Sequence, residues 1–331
     1  MRQFRTEAVI GFGLLAVLAI VLAITGIHLA QVDHAFEARC RAAGTCALAP
    51  NPIVGEDQGL QALVPIIALV TPALIGLFLG APLIAREFET GTFRLAWTQS
   101  VSRRRWLAVK LGLVGLAAVA IAGLLTWLVD WWQSPFDSVA QESFGPLQVG
   151  FHGVAPIGYA AFAFALGVTA GVVLRRTVPA MSATLVGFVV ARVAVTNWVR
   201  PNFAAPVHKS LSLLSATSHP VLELQAPAYK LALVPPLVTV RNGWVYATEV
   251  ADRSGHAPNV LRACPALHAT PASPQSVHAC LTKLSATFHT VVTYQPATRF
   301  WPFQWAELGA FLAAALVLCA FSYWWLRRQY G

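Results

Sequence analysis

Five cysteines, nine histidines and a sparse set of charges are the residues in this 331-residue chain whose chemistry could do more than pack. Cys40 with Cys46, and Cys264 with Cys280, are spaced to close short disulfide loops in an oxidising compartment. Cys319 lies in an apolar run and reads as a small packing residue. Two external cysteine pairs are also what a membrane thiol oxidoreductase would need. Against that reading, Cys40 and Cys46 have five residues between them rather than two, and no low-pKa setting is evident. The histidines fall in polar segments or at their borders, and only His278 and Cys280 approach a metal-ligand spacing, so they read as solvated and no metal site is expected. No Gly-Lys dipeptide occurs, which removes the phosphate-cradling loop of a nucleotide hydrolase. Arg192 is the one charge well inside an apolar run, seven residues before Val199 and so about 10 Å from its end. An intramembrane charge is a functional candidate by default. Snorkelling to headgroups accounts for it equally well. Asp130 and Glu307, at the ends of other apolar runs, are candidate partners.

The elements that must position these residues are membrane helices. A soluble domain would not be 56% hydrophobic and only 11% charged. Apolar runs at 8–27, 60–84, 107–129, 154–174, 178–199 and 305–326 are each long enough to cross a bilayer. The first is longer than a secretory signal core and reads as an uncleaved span. Pro65, Pro72 and Pro82 interrupt the second, as neighbouring helices can tolerate. Gly76 with Gly80, and Gly167 with Gly171, give small-residue faces for helix packing rather than a specific dimer seam.

Lysine and arginine set the orientation. The N-terminus, the connection after the second span, the turn at Arg175-Arg176 and the C-terminus together hold 12 of them and 3 acidic residues, whereas the alternate segments hold 10 of each. The positive-inside bias therefore predicts six spans with both termini cytoplasmic, in the cell membrane. Tryptophans at the span ends agree. The formal +9 charge is thus an orientation signal and not a nucleic-acid stripe. Residues 200–303 form the one polar module. Asn242-Gly243 between two apolar runs predicts a hairpin, Ser273-Pro274 a helix start with Val277, Cys280, Leu281 and Leu284 on one face, and 287–294 a strand. The fold expected is an all-α polytopic membrane protein, with spans one to five in 1–199, a small extracytoplasmic α+β cap stapled by Cys264 and Cys280, and a sixth span with a cytoplasmic tail in 304–331.

The densest charge lies between the second and third spans. Arg86, Glu87, Glu89, Thr90, Gly91 and Thr92 lead into Leu95, Ala96, Thr98, Gln99, Ser100, Val101, Ser102 and Arg103, and then Trp106, Leu107 and Lys110. Arg103, Arg104 and Arg105 at a helix start oppose its dipole, so local stability does not explain them. Membrane anchoring does, but it leaves Glu87, Glu89 and the glycine break unexplained.

This run resembles the first cytoplasmic loop of ABC exporter permeases of the type-2 class, particularly actinobacterial ones, which read Arg-Glu-x-Glu-Thr-Gly-Thr, then Leu-Ala-x-Thr-Gln-Ser-Val-Ser-Arg, then Trp-Leu-x-x-Lys. The resemblance implies a permease subunit that exports a hydrophobic or amphipathic molecule. It implies no cofactor in this chain, ATP being bound by a separate ABC ATPase subunit docked under Arg86 to Arg105, and a second permease copy or related permease as partner alongside membrane lipid. A non-transporting membrane sensor or immunity protein, active through its cap, is the remaining alternative.

Overall fold

The computed structural model describes residues 2–43, 58–91, 103–140, 144–145, 148–212, 221–225, 230–234, 240, 243–252, 254–257, 262, 264 and 274–330. Six helices among them are long and apolar enough to cross a membrane. The chain divides into two compact units: a helical one of 1–140, 146–203 and 300–331, and a smaller one of 141–145 and 204–299.

In the helical unit, α1 (Arg2–Ala43) is followed by α2 (Gln58–Leu74), a π-helical turn (Ile75–Gly80) and α3 (Ala81–Thr90). Next come α4 (Arg103–Ala140), the short α5 (Gln148–Phe151), α6 (Ala155–Leu174) and α7 (Thr177–Ala194). A second π turn (Val195–Val199) and a 3-10 turn (Arg200–Asn202) extend α7, and α9 (Phe300–Tyr330) closes the unit. The first helix does not stop at residue 27: it runs on to Ala43 and carries His28 and Asp33 with it. Nothing in 28–43 breaks a helix, since that stretch has neither Gly nor Pro.

α6 is the centre of the bundle, packed by α2, α3, α4, α7 and α9. Its composition explains this, because glycine and alanine let other backbones approach closely. A Cβ on Gly167 would stand 2.4 Å from the Gly76 carbonyl oxygen, and one on Gly171 2.8 Å from that of Ala81. A Cβ on Gly76 would likewise meet the Ala163 carbonyl at 2.6 Å. The two small-residue faces thus form one seam within the chain. Around it Ile84, Phe164, Val168 and Val172 make a buried core, and Leu22, Leu29, Val129 and Trp132 make another between α1 and α4. Trp132 donates its indole N–H to Thr25 Oγ1 at 2.9 Å across that interface. The outward faces carry Leu113, Leu116, Leu124, Val186 and Val317, all exposed, as a lipid-facing surface requires.

In the smaller unit, β1 (Val207–Ser212), β5 (His289–Gln295) and β4 (Trp244–Ala251) form an antiparallel sheet with β5 central. β2 (Val221–Gln225) and β3 (Lys230–Val234) pair as a separate hairpin. α8 (Pro274–Ser285) starts at the expected proline and buries Cys280 and Leu284. The first strand of the hairpin expected around Asn242-Gly243 falls in 235–239 and 241–242, which lie outside the described residues, and the described partner of β4 is β5. Gly243 does make a turn, donating its N–H to the Val240 carbonyl at 2.8 Å. The long stretch of the unit begins at Ala204 rather than at 200, because Arg200 belongs to the helical unit, and it ends at Arg299 rather than at 303. Gln295 and Arg299 donate to the Ala204 and Ala205 carbonyls at 2.7 and 2.5 Å, tying its two strand ends together.

Candidate functional site

Two polar constellations lie at opposite ends of the helical unit. The first gathers the charged residues at the end of α3. Gly91 terminates that helix with φ +72°, a conformation open to glycine, and its N–H bonds the Phe88 carbonyl. Thr90 Oγ1 donates to the Arg86 carbonyl at 2.9 Å. Glu87 is ion-paired with Lys110 of α4. Glu89 accepts from both the backbone N–H and the hydroxyl of Thr177, at 3.2 and 2.6 Å, so it caps the first turn of α7. Next to that cap, Arg175 takes φ +54°, the only described non-glycine residue with positive φ. Its guanidinium lies 5.7 Å from the Phe88 ring and bonds the Gln329 side chain of α9. The ends of α3, α4, α6, α7 and α9 are therefore cross-tied.

Both glutamates thus have partners inside the chain, which sequence reading did not supply. Arg86 is exposed on α3. Arg103, Arg104 and Arg105 form the first turn of α4, while their side chains, and Thr92 altogether, lie outside the described residues.

The second constellation surrounds Arg192. Of its two candidate partners, Glu307 is the one it reaches, by a 3.2 Å hydrogen bond from Nη1 to Oε1. Asp130 instead bonds His152, with Oδ1 2.7 Å from Nδ1, and accepts the Gly153 N–H at 3.1 Å. Glu307 has a stronger partner in Arg200, whose Nε donates to Oε2 at 2.9 Å and Nη2 to Oε1 at 2.7 Å. Both of these side chains are fully buried. Such a bidentate pair is the geometry guanidinium and carboxylate favour. The Tyr159 hydroxyl donates to Oε1 at 2.6 Å, and its ring lies 3.7 Å from the Arg192 guanidinium carbon. Nearby, Gln304 of α9 accepts the Ala155 N–H at 2.8 Å and donates to the His152 carbonyl at 2.9 Å, holding the junction of α5 and α6.

The π turn explains how both arginines reach one carboxylate. Residues eight apart on a straight α-helix differ by about 80° around the axis. The wider turn at Val195–Val199 removes most of that offset and puts Arg192 and Arg200 on one face. Pro201 then ends the helix.

Cys264 and Cys280 are joined and buried, 5% exposed each, and Cys40 is also disulfide-bonded and buried; Cys46 lies outside the described residues. Buried bridges suit a structural role better than thiol exchange.

The sequence model of a family described as "ABC-2 membrane transporter related" matches residues 12–200, more than half of the chain. No curated protein and no solved structure matches it.

Proposed function

Because the chain belongs to the ABC-2 membrane transporter related family, a multi-pass membrane group whose members partner an ATPase subunit, we propose that it is the permease subunit of an ATP-driven exporter. A separate ABC ATPase docks on the 84–106 segment at the cytoplasmic face, with Arg86, Glu87, Glu89, Thr90, Gly91, Thr92 and Arg103 to Arg105 as the coupling surface. Both termini are cytoplasmic, the smaller unit is extracytoplasmic, and two permease copies or two related permeases enclose the pathway. ATP is bound by the partner, and this chain needs no cofactor of its own.

The observation that carries this reading is the Glu89 to Thr177 link. It joins the docking segment, at the end of α3, to the start of α7, the helix whose far end bears Arg192 and Arg200. A push on the segment is thereby applied to a rigid element that crosses the bundle. Affinity purification of the tagged full-length chain from its host membranes tests the docking: an ABC ATPase should be retained. Replacing Arg103, Arg104 and Arg105 together with lysine should reduce that retention severalfold, because lysine keeps the charge but not the bidentate fork. Purification without any ATPase would overturn the proposal.

A further inference from the structure

The constellation around Glu307 is unbalanced. Arg200 already satisfies both carboxylate oxygens in a fully buried pair, and the Tyr159 hydroxyl, being a donor, is neutral. Arg192 adds a second cation, leaving the group at net +1 within segments long and apolar enough to span a membrane. A surplus guanidinium there is costly unless an anion faces it.

Arg192 differs from its neighbours in ways that point to such an anion. Its hydrogen bond is the longest of those converging on Glu307, at 3.2 Å, to an oxygen that Arg200 and Tyr159 already share. Its face is taken up by the Tyr159 ring, and the N–H donors of a guanidinium point outward in its plane. Arg200 and Glu307 are fully buried, whereas the Arg192 side chain keeps 16% exposure. Gly150 lies against its Nη2, and a Cβ there would stand only 2.9 Å from that nitrogen and 2.8 Å from Leu69 Cδ2, so the guanidinium fits only because this residue has no side chain.

The surroundings fit the rest of an amphipathic molecule. Exposed Trp198 is six residues further along, about 9 Å, and exposed Trp301 and Trp305 precede Glu307, marking the level where lipid headgroups sit. Leu185 and Val189, seven and three residues before Arg192, share its stripe of α7 and are exposed.

We propose that Arg192 anchors a binding site for the oxyanion headgroup of an amphipathic molecule, phosphate or carboxylate, whose tail follows Leu185 and Val189. The site's existence does not depend on ATP coupling, because it is read by equilibrium binding.

The probe is phosphatidylglycerol, presented to the purified full-length protein in phosphatidylcholine nanodiscs, with retained lipids counted by native mass spectrometry and Tm recorded in parallel. A second arm adds inorganic phosphate to phosphatidylcholine discs. Wild-type protein should prefer phosphatidylglycerol over phosphatidylcholine at least tenfold and gain Tm with it, and Arg192→Gln should abolish both effects. An Arg192-dependent Tm gain with inorganic phosphate alone would support the site and assign it to a soluble oxyanion. A lipid preference that survives Arg192→Gln, or no response to either anion, would overturn the proposal. If Arg192→Gln fails to accumulate, Arg192→Lys decides: without the planar donor edge, affinity should fall at least threefold, and unchanged affinity would refute the site.

Discussion

At the residue scale the decisive group is Glu307. Its carboxylate is fully buried and receives Arg200, Arg192 and Tyr159. Removing the charge from one side of a buried pair strands the other, at a cost of about 3–5 kcal/mol. Glu307→Gln is therefore expected to lower Tm far more than Arg192→Gln, which leaves the Arg200 pair intact; equal losses in the two melts would contradict the assigned hierarchy. Part of this was legible in the sequence. Arg192 stands out as an intramembrane charge, and Glu307 is one of two candidates to meet it. Arg200 is hidden by its place beside Pro201, where it reads as part of the polar module, and no sequence signal singles out Tyr159. The π turn that rotates Arg200 onto the Arg192 face leaves no pattern in residue types, since it is selected by the partners it brings together.

At the scale of elements, glycine spacing named the surfaces but not their pairing. Gly76, Gly80, Gly167 and Gly171 fall at helical intervals of four, which marks a small-residue face and says nothing of what meets it. Their packing partner is the chain itself, through backbone atoms that cannot yield. Gly167→Ala should thus destabilise the bundle by about 1–3 kcal/mol or more, while Gly112→Ala, with nothing within 4 Å of the added carbon, should be neutral or slightly stabilising. Thermal melts of the two variants in one detergent provide the comparison, and similar Tm values would remove the seam. Helix ends were the least legible feature, as α1 shows. Its polar continuation past residue 27 looks like a loop by composition, yet contains no breaker.

At the scale of the whole molecule, six spans follow from hydropathy alone, because each must satisfy its own backbone in lipid. The family match covers the first five of them. The sheet unit was legible at the Gly243 turn, in the 287–294 strand and in the amphipathic helix, and β1, β2 and β3 carry no such signal. What the sequence could not reveal about the 84–106 segment is that its glutamates are held from within. Glu87 pairs with Lys110, so it serves either the fold alone or the fold and a docked ATPase together. ATP hydrolysis by the reconstituted permease and ATPase, with Glu87→Gln compared against Lys110→Gln, separates these, since both substitutions cut the same ion pair. The account predicts that wild-type permease stimulates hydrolysis, that Lys110→Gln retains the stimulation and that Glu87→Gln loses it; equal loss in both variants, or no stimulation by the wild-type chain, would contradict it.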